Sequence, residues 1–349
     1  MRKSPLNKVK MFVSALLGTS LLFSSAVAFA APAPKQQEKP KQVKTIWDNM
    51  NANKMYNDIK HLSKAPRVAG TDGEYKAVQY IHNRFKKLGY ETKIQQFEFK
   101  DWDKKKGKSH NVIATLKPNT SKKTNEIVII GAHHDSVKGS PGAIDDASGV
   151  AVILELARLF ADQKRDTEIR FVSVGAEEFG LYGAKHYVNT LSQDEIKRIV
   201  GQFHIDMVGN KAAKQMAALT VDGKKNIVTD LGATFGQKYA NKFSTSQISA
   251  SDHAAFAAKG IPAAVFSHMP LDLAYHAPTD TIDKISNAKL REAATVVGAS
   301  VYKITDPATP SFKQVHTFFT PVDYKFISLE ELFGLPPVEN NEEKEENKK

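Results

Sequence analysis

The sequence predicts a single globular α/β domain with a mostly parallel central sheet and helices on both faces, and three observations carry the prediction. Apolar runs such as residues 127–130 lack polar alternation, the mark of a strand buried on both faces. Stretches of helical periodicity separate these runs, giving the strand–helix alternation of an α/β sheet. No internal repeat and no linker divides residues 45–305, so one core is expected. The composition of the 349 residues, 41% hydrophobic and 25% charged, is that of an ordinary globular chain.

The chain opens on Arg2, Lys3, Lys8 and Lys10, followed by an apolar run to about Ala28. Ala28 and Ala30 flank Phe29 in "AVAFA", so a secretory signal cleaved after Ala30 is expected, and with it an extracellular location. An uncleaved anchor is the alternative, because the run is close to spanning length. Residues 31–44, rich in Pro, Lys and Gln, have the composition of a flexible leader.

A helix is expected over 45–62, with Ile46, Met50, Ile59 and Leu62 on its apolar side. After a loop in "RVAGTDGE", Thr71 or Asp72 caps a second helix that runs to Lys87 and is stopped by Gly89. "ETKIQQFEF" and "HNVIATL" alternate as strands around a charged loop at 104–108. Buried strands follow in "EIVIIGAHHD", "EIRFVSVGA" and "IVGQFHIDMVG", with helices over 149–160 and 181–190 between them. A strand over 217–221, helices over 226–240 and near 251–258, the strand "IPAAVFS" and a helix over 287–303 complete the domain. Residues 306–337 carry enough aromatics to pack on it as an extension, and the acidic and basic run at 338–349 is expected to be disordered.

The formal net charge is +11, and the four basic residues of the first thirty, which hold no acid, leave +7 downstream. The excess is scattered through loops such as "KKKGK", a pattern of solvated surface, so nucleic acid is not expected as a partner. Stable membrane association after signal cleavage is not expected either, and the chain is expected to be a monomer. There is no cysteine, so any metal must be held by His, Asp and Glu.

Ligands in open α/β sheets gather outside the carboxyl ends of the strands. Three central strands each end there on metal-capable groups: His133, His134 and Asp135 in "GAHHDS", Glu177 and Glu178 in "GAEE", and Asp206 in "HID". "GAIDDASG" adds Asp145 and Asp146, and "AYHAPTDT" adds Tyr275 and His276. The adjacent glutamates alone are equally consistent with a helix start, where acids meet the positive end of the macrodipole. Taken with the other donors, they suit zinc, cobalt or manganese. One catalytic zinc takes about three protein ligands, so five groups fit two ions sharing a carboxylate.

With "HHD", "DDASG", "AEE", "HIDM" and "YHAPTD" in this order, residues 62–303 resemble the di-zinc aminopeptidases of the secreted bacterial type. Glutamate carboxypeptidase, glutaminyl cyclase and the transferrin-receptor ectodomain share that superfamily. The resemblance implies His133, Asp145, Glu178, Asp206 and His276 as ligands of two zinc ions, replaceable by cobalt or manganese. It makes Asp145 the bridge and implies a cis peptide between Asp145 and Asp146. It further implies Glu177 as general base, Asp135 as the partner that fixes the His133 tautomer, and Tyr275 as support for the oxyanion. The implied activity is release of N-terminal residues from peptides with a free N-terminus; the alternatives are a carboxypeptidase or glutaminyl cyclase on the same fold, or a binding protein without the chemistry. The cyclase branch typically has Trp where this chain has Tyr275. His134, His204 and Asp146 are expected to pack or to support ligands, and Ser251 or Asp252 to cap a helix. His61, His82, His110, His186, His268 and His316 are expected on the surface or in packing.

Overall fold

The computed structural model describes residues 45–314 and 319–333. The signal, leader and charged-tail expectations, and His316, lie outside them. Eight strands form one sheet in the order β1-β2-β4-β3-β5-β8-β6-β7. They are β1 Glu91–Lys100, β2 Lys106–Leu116, β3 Ile127–His133, β4 Glu168–Val174, β5 Ile199–Ile205, β6 Gln215–Thr220, β7 Phe243–Gln247 and β8 Ala263–Met269. The central four strands, β4, β3, β5 and β8, run parallel, as do β6 and β7. The β1–β2, β2–β4 and β6–β8 pairs are antiparallel.

Strand β3 explains why both faces must be covered. Val128 and Ile130 enter one apolar cluster, Ile127 and Ile129 another, as a two-residue period requires. On the first face lie α1 (Ala52–Leu62), α2 (Asp72–Lys87), α3 (Ser148–Phe160), α6 (Ile227–Tyr239) and α8 (Asn287–Thr305). Helix α3 is buried almost all round, which its sequence "SGVAVILELARLF" permits. On the opposite face α4 (Tyr182–Thr190) and α7 (His253–Ala257) bring Ala184, Tyr187, Val188, Ala255 and Phe256 onto the sheet. Among the described residues no helix is long and apolar enough to cross a membrane.

The helix expected over 45–62 is interrupted. Residues Ile46–Asn49 form a 3₁₀ turn, Met50 is extended, and α1 starts afresh because the Asn51 side chain accepts from the Lys54 amide at 3.1 Å. Three of the labelled elements had no sequence counterpart: α5 (Gln193–Arg198), closed by a Ser192–Glu195 capping box, the edge strand β7, and the short helix α9 at Leu329–Phe333. Strand β2 also extends back through the lysine-rich segment expected as loop.

Beyond α8, the chain returns to the β7 edge. The Ile327 amide donates to the Thr245 carbonyl at 2.8 Å, and the Ser246 hydroxyl to the Ile327 carbonyl at 2.7 Å. Buried Tyr324 donates to Asp230 at 2.5 Å. The short helix α9 (Leu329–Phe333) then brings Leu332 into one apolar cluster with Ala217, Leu219, Val265 and Met269.

Candidate metal centre

Register brings the strand ends together. His133, the last residue of β3, stands opposite Val174, the last of β4, and β5 runs parallel on the other side and ends one residue before Asp206. Beyond β4 and β5 the chain bends sharply, with Ala176 (φ 52°) and Met207 (φ 54°) in the left-handed region that non-glycine residues seldom enter. These bends turn Glu177 and Asp206 in toward a common basin.

The basin holds all five expected ligand residues. Asp145 lies between two histidines, its Oδ1 2.9 Å from His133 Nε2 and its Oδ2 3.2 Å from His276 Nε2. His133 Nε2 is 3.5 Å from Asp206 Oδ1, and His276 Nε2 is 3.0 Å from Glu178 Oε2. Two donor triplets follow, His133–Asp145–Asp206 and Asp145–Glu178–His276, each with its atoms within 4.8 Å of one another. Asp145 belongs to both. His133, Glu177 and Glu178 form a third such group, placing the expected base beside the first triplet.

Asp145 is aimed by its own backbone. The Asp145–Asp146 peptide is cis, and the amides of Ile144 and Asp145 both donate to the buried carboxylate of Asp280, at 2.8 and 3.1 Å. Asp146 points the other way and accepts from the amides of Gly149 (2.8 Å), Met207 (3.2 Å) and His133 (3.3 Å). It ties the ends of β3 and β5 to the start of α3. Only glycine fits at 149, because a Cβ there would collide with the Asp146 carboxylate and the Ile205 carbonyl.

Asp135 accepts from the amides of Glu177 and Glu178, at 3.1 and 3.3 Å, and its Oδ1 stands 3.6 Å from His133 Nδ1. It therefore orients the glutamate pair as well as facing the imidazole. Tyr275 lines the basin with its ring 4.1 Å from that of His276. Ser251 caps nothing: its hydroxyl donates to Asp206 Oδ2 at 2.8 Å. Nor does Asp252 cap α7; it is buried with Oδ2 3.4 Å from His204 Nε2. His134 is buried against Ser173 (2.9 Å). His268 is buried as well.

Two groups escaped the sequence reading. Arg67, fully buried, donates to the carbonyls of His134, Leu62, Pro141 and Gly142 at 2.6–3.1 Å, tying the His133 loop to the Asp145 loop. Asp280 is the other. The only available signal was their position inside quoted motifs, Arg67 in "RVAGT" and Asp280 in "PTD".

Electrostatics expose the imbalance of the basin. Burial depresses the His133 imidazole, but Asp135, Asp145 and Asp206 reverse this and hold it well above its ordinary range. Asp145 and Glu178 lift His276 to about 10. Burial would raise Asp145, yet the two histidines pull it down to about 2. Burial pushes Glu178 up to about 7 against the pull of His276 and His133, with repulsion from Asp145 and Asp135 adding to the rise. Burial, then Asp252, Asp206 and Glu178, drive Glu177 well up against the opposing pull of His133. Asp206 Oδ1 and Glu178 Oε1 are buried without a hydrogen-bond partner. Unpaired oxygens and crowded carboxylates beside two imidazoles are a donor set that divalent cations neutralise, and its nitrogen and oxygen atoms fit zinc, cobalt or manganese.

The basin opens into a cavity of about 360 Å³, walled by Leu219, Ile248, Val265, Met269 and Leu271, with Trp102 at its edge.

An open α/β sheet with a histidine–carboxylate basin at the carboxyl ends of its parallel strands has the architecture of the zinc exopeptidases. Residues 111–301 match the model of peptidase family M28, and the chain belongs to that family. Aminopeptidase YwaD of Bacillus subtilis is 40% identical over 203 residues, 56% of this chain and 44% of that relative, so the chain spans under half of its length. The structure of an aminopeptidase from Aneurinibacillus sp. strain AM-1 superposes with a TM-score of 0.75 at 35% identity, covering 80% of this chain and 98% of the other. Porphyromonas gingivalis glutaminyl cyclase, 19% identical over 72% of this chain and 98% of its own with a TM-score of 0.64, shares the fold.

Proposed function

We propose that the chain is a secreted metallo-aminopeptidase that releases N-terminal residues from peptides, using two zinc ions held by His133, Asp145, Glu178, Asp206 and His276. The observation that carries this reading is the pair of donor triplets joined at Asp145, with Glu177 beside them. The relatives named aminopeptidases support the choice of reaction. A structural neighbour described as a zinc aminopeptidase from Bacillus subtilis, 26% identical with a TM-score of 0.70, supports the choice of metal. His133 and Asp206 would hold one ion, Glu178 and His276 the other, and Asp145 both.

When bound, the ions supply Lewis acidity at the scissile carbonyl and at water. The residues do the rest. Glu177 would take the proton of the attacking water and return it to the departing amine. Asp135 keeps Glu177 in place through the backbone amide. The Tyr275 hydroxyl donates to the carbonyl oxygen as negative charge develops there. Glu177 and Asp206 give the substrate ammonium group its counter-charges, which selects a free N-terminus. The apolar wall of the cavity receives the first side chain.

The test is metal content together with hydrolysis of leucyl anilide and its N-blocked form. About two zinc ions per chain and selective cleavage of the unblocked substrate are expected. Equal cleavage of both overturns the aminopeptidase reading. Secretion rests on the first thirty residues; a mature protein collected from the medium should begin at Ala31 and sediment as a monomer.

A further inference from the structure

We infer that the chain's own C-terminal helix α9 sets the width of the substrate cavity through Leu332, an inference that rests on the peptidase reading above. The sheet explains why α9 is placed to do so. On β6 and β8, Met216, Ala218, Ala264 and Phe266 face the large apolar cluster, and Ala217, Leu219, Val265 and Met269 face the opposite side. Register sets Leu219 beside Val265 and Gln215 beside Met269. That second face carries α4 and α7 over the strands to one side. Over β6 and β8 it carries the cavity, whose wall includes Leu219, Val265 and Met269.

The same three residues share a cluster with Leu332, which is 2% exposed. These side chains therefore line the cavity and belong to the same buried apolar cluster as Leu332. Helix α9 is fixed where it lies by hydrogen bonds to three residues: Gln215 Nε2 donates to the Leu332 carbonyl at 3.4 Å, and Thr245 and Ser246 hold residues 325–327. The family match ends at residue 301, so this support lies outside the matched region. Leu332 is a positioning residue: it packs in the cluster that backs the wall, and the wall would receive the substrate side chain. A close-packed wall shifts when its backing changes volume.

The experiment compares Leu332→Ala, Leu332→Phe and, as a control on the exposed side of α9, Glu331→Ala, in the full chain with zinc. The readout is the ratio of kcat/KM for phenylalanyl and leucyl anilide. Leu332→Ala lets Leu219 and Met269 withdraw and should raise the ratio about threefold or more, Leu332→Phe should lower it by a similar factor, and Glu331→Ala should leave it unchanged. A fall of both substrates by one factor, or an unchanged ratio, means that Leu332 serves the fold alone and overturns the inference. Calorimetric binding of free leucine and phenylalanine needs no turnover. If the wild type cleaves no anilide, the peptidase reading fails. A shift in the ratio of the two Kd values between the variants then still supports the role of Leu332, and no shift, or no binding, overturns it.

Discussion

Glu177 and Glu178 are sequence neighbours with different surroundings. The Glu178 carboxylate faces His276 at 3.0 Å within a donor triplet that includes Asp145, whereas Glu177 joins only the group with His133 and Glu178. Glu177→Gln should reduce turnover by roughly 10²–10⁴-fold with near-normal zinc content, while Glu178→Gln should lose zinc. Kinetics paired with metal analysis of the two proteins checks the split, and the reverse pattern would exchange the roles. At this scale the donors were legible in the sequence because each stands at a strand end or in a short motif beside one. Arg67 and Asp280 were not, because their partners are backbone groups: Arg67 serves carbonyls up to 75 positions away, and Asp280 serves amides at positions 144 and 145. Ser251 and Asp252 were legible as a helix start, but Asp206 draws the serine away from that role.

Among the elements, the β1–β2 hairpin reaches the cavity. Its Trp102 is 68% exposed and packs tilted against Phe179, which stacks on Phe99 at 5.2 Å. On the proposed function, a large aromatic left in solvent at the mouth of this cavity would serve as a platform for the incoming peptide. Trp102→Ala should raise KM for tripeptides by about 2–10-fold and leave kcat near the wild-type value, a split that steady-state kinetics resolves. Long buried elements were easy to read, since "IVII" or "VAVILELA" admits few alternatives. The failures share a physical origin. "FSTSQ" in β7 has no apolar alternation because it is an edge strand whose neighbours are β6 and the returning residues 325–327. "QDEIKR" in α5 is a single polar turn whose capping box was the sole clue. Asn51 split an otherwise continuous helical pattern by capping locally.

For the whole molecule, the carboxylate-rich basin ties stability to metal and pH. In chelated protein Glu178 at about 7, Asp280 at about 6 and His276 at about 10 all bind protons more tightly when folded than when unfolded. The folded state holds extra protons at these groups, so their contribution to stability should fall as pH rises from about 4.5 to 7, against the opposite contribution of His204 and His253, whose burial lowers their proton affinity. Zinc-loaded protein should show a Tm advantage over the chelated form that grows over the same range, since ligands must give up protons to bind the ion. Thermal melts across that range, with chelator and with zinc restored, check both slopes; parallel curves would mean that the basin does not hold the ion. Because the five donors are dispersed over about 140 positions, a nascent or proteolysed chain lacking residue 276 has only one of the two triplets. The second triplet therefore closes only after the last strand of the sheet has been made, so on the proposed function both ions can be held only by a chain synthesised past residue 276.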